Sequence, residues 1–172
     1  LQFLPKEGET PLAFEKFPAD VLMQSEEGKE LCFDLINKGY FEIKENDKIL
    51  DIGCGGGKNI ERFVKQISAE GKVVGLDYSE VSVEKSTKLN QEFIDEGLVE
   101  VIQGSVSQMP FEDDTFDIVT GFETIYFWPD FINDLKEVNR VLKKDGLVFF
   151  CNEAVYHEGK MEKYDDLVEL LD

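Results

Sequence analysis

Short apolar runs and amphipathic segments alternate along the middle of the chain. The run Ile49–Ile52 is typical of a buried parallel strand, and four glycines follow it within five residues. Apolar residues then recur at helical spacing over 60–69. The alternation continues to residue 152, and connections of this kind join parallel strands through right-handed crossovers. The pattern therefore predicts an α/β fold with a doubly wound parallel sheet.

The bounds of the predicted elements come from apolar periodicity and from turn residues. The predicted strands are 49–52, 72–77, 98–103, 116–122 and 147–152, and the predicted helices are 21–38, 60–69, 79–96, 129–144 and 161–171. Ser79 is expected to cap the helix that starts there, and Pro129 to occupy the first turn of its helix. Lys143 and Lys144 are expected to favour the C-terminal dipole of that same helix.

A chain of 172 residues is long enough for one domain with a sizeable core, and we expect residues 1–172 to form a single domain. Residues 1–20 contain Pro5, Pro11 and Pro18, which exclude a continuous helix. Aromatic residues between these prolines predict that the segment packs as an arm over the core. A lid over the functional site is the alternative.

Acidic residues outnumber basic residues by 37 to 18, which gives a net charge of −19. A surface this acidic repels phosphate backbones and anionic membranes, so neither nucleic acid nor a membrane is expected as a partner. The sequence contains no apolar run long enough to cross a bilayer, and we expect no signal peptide. Three cysteines without framework spacing indicate a reducing, cytoplasmic compartment and give no metal signature. The charge favours a small neutral or cationic molecule as the partner.

The turn Gly53–Gly57 joins the first strand to its helix, and Asp51 stands two residues before it. Glycine removes side-chain bulk, so a ligand can lie against bare backbone while the helix N-terminus turns its free amides toward it. This composition favours a nucleotide-like cofactor over a plain turn. The dinucleotide fingerprint fails because its sixth position, which must be glycine, is Lys58. A phosphate-binding Walker loop fails because no Gly-Lys-Ser or Gly-Lys-Thr is present.

This turn resembles the first motif of the class I S-adenosylmethionine-dependent methyltransferases, Asp-x-Gly-x-Gly-x-Gly. Its residues in this chain are Asp51, Gly53, Gly55 and Gly57. The resemblance implies S-adenosylmethionine as the cofactor, with the acid holding the amino end of the methionine moiety and the glycine backbone beneath the sulfonium and ribose. It also implies a Rossmann-like sheet of strand order 3-2-1-4-5, with the cofactor above strands 1 and 4 at the switch point.

Further motifs follow in the order of this family. The pairs Pro110–Phe111 and Phe116–Asp117 are similar to those of small-molecule methyltransferases. The run Glu137–Gly146 resembles the ubiquinone/menaquinone-type sequence Glu-x-x-Arg-Val-Leu-Lys-Pro-Gly-Gly, with Lys-Asp in place of Pro-Gly. The resemblance covers residues 49–152 and implies methyl transfer to a small-molecule acceptor.

Asp77 stands at the tip of the predicted second strand, where a carboxylate can accept both ribose hydroxyls. Such a residue can instead cap the next helix, but Ser79 is available for that role and leaves Asp77 for the ribose. The family usually has an acid for the adenine amino group where this chain has Ser105, and we expect Ser105 and the Val106 backbone to flank the adenine. Cys54 is interpreted as a small filler of the turn. The predicted cofactor-binding residues are Asp51, Gly53, Cys54, Gly55, Gly57, Asp77, Tyr78, Gly104, Ser105, Val106 and Phe122.

Methyl transfer is an in-line attack by the acceptor, so the protein mainly aligns two molecules and excludes water. A general base is needed only if the acceptor is a hydroxyl or a protonated amine. The candidate catalytic residues are Glu123, Tyr126, Trp128 and His157. We expect the loop that carries the first three to line the acceptor site, where it could favour an amine through cation–π contact. For Glu123 a helix-start carboxylate is the alternative, and for His157 an exposed loop position.

Two functions of other classes remain compatible with the sequence. One is a catalytically silent module that holds S-adenosylmethionine or its demethylated product, and the other is a nicotinamide-dependent reductase. The missing sixth glycine argues against the reductase. No sequence feature excludes the silent module.

Proteins of the resembling family continue past the fifth strand, through another helix, to an antiparallel pair of strands. We therefore expect this chain to be a fragment that lacks those strands. Residues 147–152 would then form an uncovered apolar edge, which is a template for pairing with another chain and predicts self-association.

Overall fold

The structure, a computed structural model, describes residues 42–151. Within this range five strands form one parallel sheet in the order β3-β2-β1-β4-β5, so the predicted fold class and strand order are confirmed. The strands are β1 (Lys48–Ile52), β2 (Lys72–Asp77), β3 (Val99–Gln103), β4 (Phe116–Phe122) and β5 (Leu142–Cys151). The helices are α1 (Lys58–Val64), α2 (Glu80–Leu89), α3 (Gln91–Asp95) and α4 (Phe131–Val141), and a 3-10 turn covers Ile125–Phe127. The predicted arm over 1–20, the predicted helices 21–38 and 161–171, and His157 lie outside the described residues.

Strand β1 lies at the centre of the described sheet, between β2 and β4. Every residue of β1 after its first is buried, which is why the sequence there is a nearly continuous apolar run. In the parallel register Asp51 is the partner of Gly75 on β2 and of Thr120 on β4. The one charged residue of the run is therefore enclosed by its two neighbouring strands.

The main hydrophobic cluster joins the sheet to α4. Its buried members are Leu50, Ile52, Val74, Leu76, Val106, Met109, Phe116, Val119, Trp128, Val138 and Val141. The helix contributes an amphipathic face to this cluster, because its apolar residues recur at helical spacing. Within residues 42–151, no helix combines the length and the apolar character that a membrane span requires.

The helix predicted over 79–96 is two helices, α2 and α3, which meet at Asn90. Ser79 caps α2 as expected, because its hydroxyl accepts a hydrogen bond from the Ser82 amide at 3.3 Å. The buried Asn90 side chain donates to the carbonyl oxygen of Ser86 at 2.9 Å and to that of Gly57 at 3.1 Å. An asparagine amide competes with the helical backbone bonds in this way, so the break fastens α2 to the glycine turn.

The predicted boundary between the last helix and the fifth strand is wrong. Helix α4 ends at Val141 and β5 begins at the next residue, with a register shift against β4 before Ile118. Lys143 and Lys144 therefore belong to the strand, and the Lys143 ammonium forms an ion pair with Asp117 at 2.7 Å. The reason is a tertiary contact, because the ion pair with Asp117 on β4 favours a strand conformation at Lys143 over a helical one. Pro129 is also misplaced by the prediction, since it precedes the N-cap residue, Asp130.

Candidate cofactor site

The glycine turn after β1 requires glycine for both conformation and space. Gly53, Gly55 and Gly57 have φ values of 69°, 54° and 81°, in the left-handed region that side chains disfavour. A β-carbon at Gly53 would overlap the Thr124 side chain, and one at Gly57 would overlap Ser86 and Asn90. At Gly55 and Gly56 a β-carbon would meet no atom within 4 Å. The turn is therefore packed against protein at its two ends and open at its middle.

Backbone bonds hold this turn to the end of β2. The amides of Gly53 and Cys54 both donate to the Leu76 carbonyl oxygen, at 2.7 and 3.2 Å. The Gly55 amide donates to Asp77 Oδ2 at 2.8 Å, and the Ser79 amide donates to Asp77 Oδ1 at 2.9 Å. These hydrogen bonds hold the open middle of the turn against the end of β2.

The expectation that the Ser79 cap leaves the Asp77 carboxylate free is wrong, because both of its oxygens already accept a backbone amide. The physical reason is that the turn folds back onto the strand end and needs an acceptor there. An ionised carboxylate has about four acceptor positions, so two remain for hydroxyl donors. Ribose binding by Asp77 stays a prediction that this geometry permits.

Asp51 presents a buried carboxylate oxygen to this region. The side chain is 1% exposed, and its Oδ1 accepts a hydrogen bond from Thr120 Oγ1 at 2.9 Å. Its Oδ2 is buried and has no hydrogen-bonding partner among the described residues. Burial raises the pKa of Asp51 from 3.8 to about 7; the Thr120 hydrogen bond opposes this rise and the Asp77 charge adds to it.

A buried acceptor without a donor is costly, so a position that retains one is suited to a ligand that supplies the donor. The amino group of a methionine moiety is a cation with N–H donors. It would satisfy Asp51 Oδ2 and lower the pKa of that carboxyl group. The residues at the end of β1 therefore fit S-adenosylmethionine, with open glycine backbone beside a carboxylate that lacks a donor.

The segment after β3 lies where the adenine is predicted. The Gly104 amide donates to the Asp77 carbonyl oxygen at 3.0 Å, which holds this segment beside β2. The Val106 side chain is buried in the main cluster, so contact of its backbone with the adenine stays a prediction. Ser105 Oγ accepts a local bond from the Ser107 amide at 3.2 Å. The Tyr78 ring, at the neighbouring end of β2, is 81% exposed and is available to cover a ligand.

Arg140 of α4 braces the loop that follows this segment. Its guanidinium donates to the carbonyl oxygens of Phe111 at 2.8 Å and Met109 at 3.2 Å, and it pairs with Asp113 and Glu137 at 2.7 Å. The Glu137 carboxylate in turn accepts the Met109 amide at 2.8 Å. The Glu-x-x-Arg motif therefore acts as a structural clamp on the loop, since planar guanidinium groups suit several fixed acceptors at once.

The loop after β4 is tied to the glycine turn. Glu123, its first residue, has a φ of 55°, which is strained for a non-glycine residue, and its amide donates to the Cys151 carbonyl oxygen at 2.9 Å. The Thr124 side chain is buried against Gly53 and Gly121, where a β-carbon on either glycine would overlap it. Strained residues of this kind are often found at functional sites, and the role of Glu123 stays a prediction.

The aromatic residues of this loop differ from the prediction in which rings are buried and which are exposed. Trp128 is 4% exposed and packs on Phe150 and Phe131 with ring centroids 5.3 and 6.1 Å apart, so it is a core residue and not an acceptor contact. Phe127, which sequence reasoning missed, is 82% exposed. The only signal for it was the aromatic run itself, because a 3-10 turn follows no alternation that would show which ring points outward. Tyr126 is half-buried in the same turn.

Two further predicted positions have structural roles. The Phe122 ring packs between Phe63 and Phe149, with centroids 6.3 and 5.9 Å apart. Cys54 is buried, and burial raises the pKa of its thiol far above the usual range, which fits the interpretation as a filler. Among residues 42–151 no group of three His, Cys, Asp or Glu side chains is placed to hold a metal ion.

The part of the chain that resembles known proteins is the part that contains the sheet and the glycine turn. The model of a methyltransferase-domain family matches residues 50–150. Curated demethylmenaquinone methyltransferases of Bacillus cereus and Staphylococcus haemolyticus are 36% identical over 113 and 110 residues, which cover 66% and 62% of this chain. The matches cover 47% and 43% of those proteins, so the chain spans about half the length of the curated relatives it matches.

Solved structures show the same fold. The YcgJ protein of Bacillus subtilis has a TM-score of 0.66 at 25% identity, over 83% of this chain and 58% of that one. A SAM-dependent methyltransferase of Aquifex aeolicus has a TM-score of 0.61 at 24% identity, over 74% of this chain and 69% of that one. The match over 50–150 contains the glycine turn, Asp77 and the Glu-x-x-Arg motif, and the cofactor predicted from them, S-adenosylmethionine, is that of the family. The chain belongs to the methyltransferase-domain family, within the class I S-adenosylmethionine-dependent methyltransferases.

Proposed function

We propose that this protein transfers a methyl group from S-adenosylmethionine to a small aromatic acceptor. The observation that carries the proposal is the carboxylate of Asp51, whose buried Oδ2 lacks a donor beside the open backbone of Gly55 and Gly56. Family membership supports the same chemistry. Neither a silent binding module nor a nicotinamide-dependent reductase has support from the comparisons.

The residues that would hold the cofactor lie at the carboxyl ends of β1, β2 and β3. Asp51 would accept a hydrogen bond from the amino group, and Asp77 would accept hydrogen bonds from the ribose hydroxyls. The Ser105 and Val106 backbone would flank the adenine, and the Tyr78 ring would cover it. When bound, S-adenosylmethionine supplies the methyl group and the sulfonium leaving group. The contribution of the protein is alignment and exclusion of water.

Glu123 and the 3-10 turn after it are the proposed acceptor side of the site. The strained Glu123 lies at the carboxyl end of β4, next to the cofactor turn, and its carboxylate is the proposed proton acceptor for a hydroxyl substrate. Phe127 and Tyr126 offer ring faces for an aromatic substrate. Because Trp128 is buried, an aromatic acceptor is favoured over an amine held by cation–π contact. The relatives' name, demethylmenaquinone methyltransferase, supports an acceptor of that type.

The test is a methyl-transfer assay with a soluble, short-chain reduced demethylmenaquinone analogue, followed by mass spectrometry of the product. We expect a gain of one methyl group that depends on both substrates. Phe127→Ala should raise the KM for the acceptor about tenfold, since one aromatic contact contributes about 0.5–1.5 kcal/mol beyond its buried area. Leu89→Ala, which removes an exposed apolar side chain on α2, is the matched control.

Calorimetry separates the proposal from its alternatives. Binding of S-adenosylmethionine without turnover on any of a panel of hydroxyl, amine, thiol and carbon acceptors would favour the silent module. Binding of NAD with no binding of S-adenosylmethionine would favour the reductase. Equal KM values for Phe127→Ala and wild type would remove Phe127 from the acceptor site.

A further inference from the structure

We propose that Thr120 is a positioning residue for cofactor binding: its hydroxyl holds one oxygen of the Asp51 carboxylate and leaves the other for the amino group of the cofactor. This inference rests on the proposed function, because it assigns a second residue to the same subsite. Sequence reasoning did not select Thr120, which stands 69 residues from Asp51 along the chain.

The register of the sheet explains why these two side chains meet. Asp51 and Thr120 are paired residues on the neighbouring strands β1 and β4, and paired residues of adjacent strands project from the same face of a sheet. Thr120 has no exposed surface, and Asp51 is 1% exposed. On the other side of β1 the paired residue is Gly75, which has no side chain. Within the described sheet, Thr120 is therefore the paired residue that can reach this carboxylate.

The Thr120 hydroxyl has two acceptors within reach. Its Oγ1 lies 2.9 Å from Asp51 Oδ1 and 3.3 Å from the carbonyl oxygen of Leu50. A hydroxyl carries one proton, so it donates to one of them at a time, and the shorter contact is within the usual range for O–H···O bonds. When Asp51 is protonated, its own O–H can donate to Thr120, and the hydroxyl can turn to Leu50. Thr120 stays hydrogen-bonded in both protonation states of Asp51.

The charges near Asp51 leave Thr120 as the group that favours its ionised form. From β2, Asp77 disfavours ionisation by its negative charge. From the glycine turn, Cys54 contributes a buried neutral thiol, since its pKa is raised by burial. Beyond the end of β4, Glu123 is a further carboxyl group at the same edge of the sheet. The hydroxyl of Thr120 is the contact that opposes the rise in the pKa of Asp51.

A purely structural threonine would fill the same space without acting on the ligand. The two roles differ in their consequences, because loss of a structural hydroxyl changes stability alone. Loss of a positioning hydroxyl also shifts the titration of Asp51 and the pH dependence of cofactor binding. The distinction therefore requires variants that differ by the hydroxyl group only.

Thr120→Ser and Thr120→Ala form such a pair, since both lack the γ-methyl group and only serine keeps the hydroxyl. The titration of the Asp51 carboxyl carbon, followed by NMR in the ligand-free protein, should have a midpoint near 7 in wild type. We expect a midpoint close to that of wild type in the Ser variant and one raised by about one pH unit in the Ala variant. Thr120→Val, which keeps the shape of the side chain, should follow the Ala variant.

Calorimetric titration with S-adenosylmethionine between pH 6 and 9 is the second measurement. At pH 7 the Ala and Val variants should bind about tenfold more weakly than the Ser variant, with the pH midpoint of binding moved upward to match the NMR result. Equal affinities and equal midpoints in the Ser and Ala variants would overturn the role of Thr120 while leaving the proposed function intact. If wild type does not bind S-adenosylmethionine at any pH, the proposed function itself fails. The Val variant provides the same comparison with wild type if the smaller side chains prevent folding.

Discussion

Two aspartates, one at each end of the parallel sheet, have opposite surroundings. At the amino end, Asp117 of β4 accepts hydrogen bonds from the Lys143 ammonium at 2.7 Å and from the Lys48 amide at 2.9 Å. At the carboxyl end, Asp51 of β1 accepts from Thr120 through Oδ1, and among residues 42–151 its Oδ2 has no partner.

The pKa values follow this difference. Burial acts to raise the pKa of Asp117, but the hydrogen bonds and charges of Lys143 and Lys48 outweigh it, so the pKa is lowered. The pKa of Asp51 is raised to about 7, mainly by burial. Both oxygens of Asp117 have a partner within the protein, whereas one oxygen of Asp51 has none among the described residues. A carboxyl group with a strongly raised pKa of this kind is typical of a functional site.

The largest expected effect belongs to Asp51→Asn, which should change affinity and stability in opposite directions. The variant keeps an acceptor for Thr120 but loses the charge that would face the cofactor's amino group. A charged hydrogen bond of this kind contributes about 1.5–3 kcal/mol, so we expect S-adenosylmethionine to bind about 10- to 100-fold more weakly. Calorimetric titration at pH 8 measures this loss.

At the same pH the unfolding free energy of Asp51→Asn should exceed that of wild type. A pKa raised from 3.8 to about 7 corresponds to on the order of 4 kcal/mol when the group is ionised. The buried amide without an acceptor offsets about 1–3 kcal/mol of that gain. A variant that is less stable and binds normally would contradict both the cofactor role and the contrast between the two ends of the sheet.

The pH dependence of stability should carry the signature of Asp51. Its folded-state pKa lies above its ordinary value, so its contribution is fully present below about pH 4 and is lost as the pH rises through 7. We expect the unfolding free energy of Asp51→Asn minus that of wild type to become more positive from pH 4 to pH 7 and to stay constant above. Urea unfolding at several pH values tests this, and a value that becomes more negative with rising pH would contradict the raised pKa of Asp51.

Asp77→Ala should have the next largest effect on affinity, because Asp77 is only partly buried and water can replace part of each lost contact. It removes the acceptor of the Gly55 amide together with the predicted ribose contacts, each of which contributes about 1.5–3 kcal/mol before water compensates. Ser79→Ala, which removes the cap of α2, is the control, and it should cost about 1 kcal/mol of stability with little change in affinity. Wild-type affinity in Asp77→Ala would show that the ribose is placed elsewhere.

The smallest effect is expected at the amino end of the sheet. Asp117→Asn breaks the pair with Lys143, which is partly exposed, so the unfolding free energy should fall by only about 1 kcal/mol. Affinity for S-adenosylmethionine should stay at the wild-type value. A loss of affinity here would mean that the two ends of the sheet are coupled.

Local patterns in the sequence predicted the sheet and the main cofactor motif. The glycine motif after Asp51 lies in one strand and the turn that follows it, and Asp77 lies at the end of the next strand. Each of these features can therefore be recognised from a short stretch of sequence. The break at Asn90 and the early end of α4 depend on partners in other elements, namely Gly57 and Asp117. No local pattern records those partners.

The same reason explains why sequence reasoning missed Thr120 and Phe127 and placed Trp128 in the acceptor site. Thr120 acquires its role from the parallel register that pairs it with Asp51, and a strand residue reveals nothing of its cross-strand partner. Trp128 and Phe127 are adjacent aromatic residues, and only the packing of Trp128 on Phe150 decides which of them is buried. The single domain over 1–172, the cytoplasmic location and self-association through 147–152 stay predictions.

The separation of contacts along the chain has a consequence for the order in which the site assembles during folding. The bond from Gly55 to Asp77 closes a segment of 22 residues, whereas the bond from Thr120 to Asp51 joins residues 69 apart. Closing the longer loop costs about 1 kcal/mol more entropy. The turn Gly53–Gly57 can therefore form as soon as β1 and β2 pair. The Asp51 carboxylate becomes enclosed only when β4 docks. Loss of the Thr120 hydroxyl should then speed unfolding more than it slows folding, whereas loss of Asp77 should slow folding.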